Sequence, residues 1–275
     1  MSSRLNFGKS LDFVGTVGAG NTLKALLDGG PTIDEIDFHT DLTAAEIEYA
    51  QVKIDGDLRV EMTGQQMLDR EAYDGRAATS NHFIIAMSDS LAGTLQGEMM
   101  SGLCTKPGQR VEVIVKIASG ATLGGSEFLD MYVETSPYRP EEFRLYILPE
   151  LVPVSNTGEN RFDNFRQGAR RGQNFIRRIF NYGNITHLEI QQDRRTVFGE
   201  GPLPAAVNNA RLDRNGKTEP SSCFVVDFLL KGRNTNDMFD TFSVESLRAT
   251  YTTGNSNDIT ALTEYLQDVR PVANV

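Results

Sequence analysis

Apolar and polar residues alternate on both sides of an Asp-Gly pair in Ile47–Val60, IEYAQVKIDGDLRV, and this pattern predicts a β-hairpin. A two-residue loop, Asp55-Gly56, would set Val52 opposite Arg59 and mix the two faces. A three-residue loop, Asp55 to Asp57, sets Ile54 opposite Leu58 and Val52 opposite Val60, so the alternation favours the longer loop. The pattern then recurs. Ile33-x-x-Ile36, Ile47, Val52 and Asp55 in the first half are matched by Ile176-x-x-Ile179, Ile185, Leu188, Ile190 and Asp193 in the second. The chain reads as one unit written twice.

Other stretches fall into the same order. Leu11–Val17, Thr22–Leu27, Pro31–Phe38, His82–Ser88, Met99–Thr105 and Gln109–Ile117 predict strands of the first unit, and Phe128–Val133 and Phe143–Val154 are read as belonging to the junction. Phe175–Phe180, Ile185–Gln191, Phe224–Leu229, Val244–Thr250 and Ile259–Val269 predict those of the second. Thr43 and Glu46 have capping-box spacing for one helical turn. Thr63 and Gln66 repeat it ahead of a short helix over Met67, Leu68 and Ala72 that Gly75 can end. Pro137, Pro140, Pro149 and Pro153 argue against central strands between the units. The expectation is an all-β chain of two tandem eight-stranded sandwiches with short helical insertions. Residues 1–10 form an N-terminal arm, 11–135 the first sandwich, 136–154 a junction and 155–275 the second sandwich.

Composition narrows the function. A net charge of −10 disfavours direct binding to nucleic acid, because phosphate neutralisation needs a clustered positive surface. Cys104 and Cys223 are too few for a disulfide framework and fit a reducing compartment. The first residues lack the apolar core of a signal peptide, so a protein made and kept in the cytoplasm is expected.

Candidate chemistry is sparse. His39, His82 and His187 are scattered without a His-x-His pair, and no Gly-x-Ser-x-Gly motif is present. Gly15-Thr-Val-Gly18-Ala-Gly20 has dinucleotide-loop spacing but no βαβ context, and reads as a turn. Asp55, Asp57, Asn257 and Asp258 offer hard oxygen ligands, and Ca²⁺ is the cation they would suit, although turn chemistry accounts for all four. A glycosidase needs only two facing carboxylates, which sequence cannot exclude. A carbohydrate-binding module is the stronger alternative to a structural role, against which the absence of tryptophan platforms counts.

Val17–Thr22, Leu26–Gly29, Thr32–Asp37 and Val52–Gly56 in the first half, with Phe224–Gly232 and Leu247–Leu266 in the second, carry a resemblance. The chain resembles the double jelly-roll major capsid proteins of small, membrane-containing icosahedral bacteriophages, the corticovirus-like coat proteins. The resemblance implies two jelly rolls, no catalytic residues, and homotrimers of pseudo-hexagonal outline. These would tile a shell over an internal viral membrane and meet other capsid proteins at the vertices. Interfaces of at least ~2,000 Å² are expected for such obligate trimers.

Two further expectations concern charge. Arg4 and Lys9, with no acid among the first ten residues, suit an arm facing anionic lipid. Between Asp28 and Glu61 the first copy has ten acids against Lys53 and Arg59, whereas Arg170, Arg171, Arg177 and Arg178 make the matching region of the second basic. Asp34-Glu35 aligns with Arg177-Arg178, so these residues are candidate trimer contacts in which unlike faces meet.

Overall fold

The structure, a computed structural model, describes residues 6–9, 12–76, 81–88, 102–163, 165, 174–221, 223–230, 238–241 and 246–269. Two compact units follow one another, the first running to Ile147 and the second covering Leu148–Val269.

The first unit contains β1 (Asn6–Lys9), β2 (Thr22–Asp28), β3 (Thr32–Thr40), β4 (Ile47–Ile54), β5 (Asp57–Met62), α1 (Gly64–Tyr73), β6 (His82–Ala86), β7 (Leu103–Cys104), β8 (Arg110–Ile117) and β9 (Leu129–Ser136). One sheet has the order β1-β9-β3-β6, with the two-residue β7 also on β3. The other has the order β2-β8-β4-β5. β10 (Phe143–Val152) carries the chain across the boundary. The second unit continues with β11 (Gly158–Phe162), β12 (Asn174–Tyr182), β13 (Ile185–Gln192), β14 (Arg195–Pro204), α2 (Ala205–Asp213), β15 (Cys223–Asp227), β16 (Phe239–Asp240), β17 (Leu247–Thr253) and β18 (Ile259–Asp268). Its sheets have the orders β10-β18-β12-β15 and β11-β17-β13-β14, with β16 on β12. Every strand and helix of the first unit therefore has a counterpart in the second. Both are jelly rolls, as the repeat predicted.

Alternation fills each core. In the first unit two rows run across the second sheet in register: Leu23–Val115–Ala50–Met62 and Ala25–Val113–Val52–Val60. No side chain in either row is more than 2% exposed. The counterpart of the second row is Phe162–Ala249–Ile190–Phe198. Ala249 stands in the place of Val113, while Phe162 and Phe198 replace the two end residues and Ile190 replaces Val52, so volume lost at one position is recovered at its neighbours.

The hairpin differs from expectation in an instructive way. Asp55 and Gly56 alone form the loop, with φ +51° and +87°, the left-handed pair of a tight hairpin turn. Ile54 pairs with Asp57 and Lys53 with Leu58. Val52 still pairs with Val60, because the register slips there and Arg59 becomes the extra residue of a β-bulge. The core pairing thus survives a shorter loop. Arg59 is buried at the bulge, its Nε 2.7 Å from Asp57, its Nη2 3.1 Å from Glu141 and its guanidinium 5.0 Å over the Tyr146 ring. The second hairpin makes the same turn without glycine, Asp193 and Arg194 adopting φ +47° and +68°.

In both copies the hairpin aspartate ties the turn to a third strand. The Asp55 amide donates to Arg110 O, and its carboxylate accepts from the Arg110 amide, both at 2.9 Å. The Asp193 amide donates to Ser246 O at 3.0 Å, and its carboxylate accepts from the Ser246 amide at 2.8 Å. The hairpin tip therefore acts as one more rung of the ladder.

Three expectations are corrected. Asn6–Lys9, read as an arm, form edge strand β1, paired with β9 from Asn6↔Thr135 to Lys9↔Tyr132. Within Leu11–Val17, Leu11 lies outside the described residues, and the rest make only a bridge between Val14 and Lys24, because no face of this stretch is buried. Phe143–Val152, assigned to a junction, form β10. Pro149, which lacks an amide hydrogen, lies within this strand. The capping box at α1 is present with both reciprocal bonds, whereas α2 starts at Pro204 without a side-chain cap and was missed.

Asp55→Ala and Asp193→Ala should each lower the melting temperature by a few degrees, while Asp→Asn, which keeps the acceptor and tolerates positive φ, should lower it less. Thermal melts of the four variants check this.

Candidate assembly surface

The charged positions singled out by the repeat do coincide. The register of β3 against β9 slips between Ile33 and Glu35, and that of β12 against β18 between Ile176 and Arg178. Asp34 and Arg177 are the extra residues of equivalent bulges. The Asp34 carbonyl accepts from the amides of Met87 and Ser88, and the Arg177 carbonyl from that of Phe228.

Their surroundings are unlike. Glu35 lies opposite Ala86 and Glu134, with Arg76 Nη1 3.4 Å away. Arg76 Nε also reaches Glu71 at 3.0 Å. Burial, then the charge of Glu71, pushes the Glu35 carboxyl up to about 7 against the pull of Arg76, and burial also raises Glu71. Next along the strand Asp37 meets His82 Nδ1 at 2.8 Å, and His39 stacks on His82 with centroids 4.8 Å apart. In the second unit Arg178 lies opposite Asp227 and Glu264, its Nε 3.7 Å from Asp227. Arg178 and Asp227 are each 2% exposed and Glu264 is fully buried.

This changes the set of contact candidates. Arg177 and Arg178 are buried within their own unit. Asp34 is likewise buried, which leaves Glu35, partly exposed beside Arg76. Arg170 and Arg171 lie outside the described residues, as does Arg4. Lys9 is 2.8 Å from Asp130 and 3.4 Å from Asp12.

The oxygen ligands are similarly engaged. Asp55 holds Arg110 and Gln109, Asp57 holds Arg59 and accepts from Tyr146, and Asp258 accepts from the Val154 amide. The Asn257 amide donates to Asn255 within the turn. Among the described residues no three His, Cys, Asp or Glu side chains converge as a metal cluster. Cys104 and Cys223 are free, buried thiols.

What the sequence reading missed lies between the first and second strands of each unit. A cleft of about 300 Å³ is bordered by Asn6, Lys9, Leu27 and Val133 in the first. Its counterpart of about 820 Å³ is bordered by Glu150, Leu151, Arg161 and Phe162. Exposed apolar side chains occur on the same strands: Phe7 at 58%, Leu26 at 46% and Leu151 at 64%. Leu26 was legible, because it shares the polar phase of Thr22, Lys24 and Asp28 in β2. Unpaired strand edges bearing apolar side chains are suited to protein contact.

Comparisons with known proteins agree with the doubled architecture. The family profile described as viral coat protein P2 N-terminal domain matches residues 9–136, and that of the P2 C-terminal domain matches residues 145–269. No curated protein sequence matches the chain. The fold is similar to the crystal structure of the major capsid protein P2 from bacteriophage PM2, with a TM-score of 0.85 at 18% identity, covering 98% of this chain and 100% of that one. The structure of Sulfolobus turreted icosahedral virus gives 0.68 at 8% identity, with 97% and 91% covered. The PBCV-1 virus capsid gives 0.60 at 12% identity, with 97% and 93% covered.

The equivalent bulges should respond oppositely to neutralisation. Arg178→Met removes a buried positive charge from between two buried acids and should destabilise by about 3–5 kcal/mol, read by denaturant unfolding. Glu35 has a folded pKa above its ordinary value, so its stabilisation is full at acid pH and is lost as pH rises through about 7. The melting temperature should fall between about pH 5 and 8, and Glu35→Gln should make that fall shallower.

Proposed function

Since this chain belongs to the viral coat protein P2 family, both of whose domains it contains, it is a structural coat protein of the virion and not an enzyme; we propose that it is the major capsid subunit, assembling as homotrimers. The observation that carries this reading is the duplication itself. Three chains with two like sandwiches each bring six similar bodies around a threefold axis, which gives a pseudo-hexagonal tile that can pave an icosahedral shell. The subunit is made in the host cytoplasm. Its partners are further copies of itself, other capsid proteins at the vertices and an underlying viral membrane, without direct contact to nucleic acid. The edge strands β1, β2 and β11, with the exposed Leu151 beside the last, supply the chain-to-chain contacts in this reading, in the place first assigned to paired charges.

Native mass measurement and negative-stain imaging of the purified protein test the proposal. Trimers with a hexagonal outline are expected, and a stable monomer at micromolar concentration would sink it. Leu26→Asp and Leu151→Asp should weaken the trimer while leaving subunit stability within about 0.5 kcal/mol, since both side chains face solvent in the single chain.

A further inference from the structure

The two copies differ at the end of the sandwich where the β3–β4 connection meets the start of α1. In the first unit the connection runs from residue 41 to 46 and folds into a turn. The Glu46 carboxylate accepts from the Thr43 amide at 2.7 Å and from its hydroxyl at 2.9 Å, and Asp41 accepts from the Phe128 amide at 3.0 Å. Ala44 presses against Gly64, the first residue of α1, so closely that a Cβ there would lie 2.4 Å from the Ala44 carbonyl oxygen. This loop plugs the start of the helix.

In the second unit the matching connection is Gly183-Asn184 alone. Where the plug would sit there is a cavity of about 560 Å³, whose walls include Asn184, Ala205, Asn209, Glu219, Ser221 and Asn255. That size lies within the ~300–1,000 Å³ of small-ligand sites. Ala205 begins α2, which no side chain caps.

The chemistry of the walls selects the ligand. An uncapped helix start attracts anions, but Glu219 occupies the same cavity and no Lys, Arg or His among the described residues lines it. Among the described residues no aromatic ring lines it either, so flat aromatic ligands have nothing to stack on there. Each asparagine amide both donates and accepts. Glu219 is held by the Val225 amide at 2.6 Å and Asn208 Nδ2 at 3.2 Å, and burial raises its carboxyl to about 7, so near neutrality it too can donate or accept. Hydroxyl groups are the ligand atoms that match such a mixed, uncharged array.

We propose that this cavity binds a neutral polyhydroxylated molecule, of the class of a mono- or disaccharide, through the amides of Asn184, Asn209 and Asn255 and the carboxyl group of Glu219. The site is independent of the coat function and would stand if the trimer reading failed.

Saturation-transfer NMR on the full chain, with glucose, galactose, mannose and maltose as probes and inorganic phosphate as the counter-probe, tests it. At least one sugar should bind at millimolar concentration. Ser221→Phe, which restores a plug from the rim, and Asn209→Ala, which removes one amide, should each weaken it about tenfold or more, the loss of one or two hydrogen bonds. Thermal melts establish that each variant is folded. The proposal is overturned if none of the four sugars gives a signal, if phosphate binds in their place, or if sugar binding is unchanged in both variants.

Discussion

The carboxylate of Asp55 accepts from the Arg110 amide while its own amide donates back to Arg110, and Asp193 does the same with Ser246. This pair of bonds fixes where β4 stands against β8 and β13 against β17. In a sandwich with one dry face, a slip of one residue would turn every core side chain to water. The rows that end in Val52–Val60 and Ile190–Phe198 therefore depend on it, and so do the bulges that let two-residue turns serve both hairpins. An aspartate is suited to the place because it tolerates positive φ and supplies an acceptor at the tip.

On this shared scaffold the copies have diverged where packing left room. The position just after the bulge carries Glu35 beside Arg76 in one unit and Arg178 between Asp227 and Glu264 in the other. One is half-exposed and inclined to protonate; the other is sealed and must stay paired. The β3–β4 connection covers its helix in the first unit and its counterpart is trimmed to two residues in the second. A duplicated sandwich can keep its ladder and vary such ends, because the buried rows set its stability while loops and edges tolerate change.

Legibility in the sequence followed the strength of the local signal. The Ile-x-x-Ile and Asp repeat, the alternation of β4 and β8 and the Thr63–Gln66 capping box each describe an element that tertiary structure merely completes. β1 was not legible, because all four of its residues are exposed and it has no hydrophobic phase. β10 was hidden by Pro149, and α2 by its lack of a cap. The burial of Arg177 and Arg178 could not be read from charge alone. Arginines on a strand look like a solvated face until their register against Asp227 and Glu264 is known. The open strand edges, by contrast, left one signal in the sequence, a leucine in the polar phase of β2.

The claim that one clamped sandwich occurs twice is tested most directly by amide hydrogen exchange at Arg110 and Ser246. Both amides lie at strand starts in exposed surroundings, where unbonded amides would exchange quickly. The account predicts that both are protected to a similar degree, each comparable with the core of its own sheet. Rapid exchange at both residues, or protection at one and free exchange at the other, would contradict it.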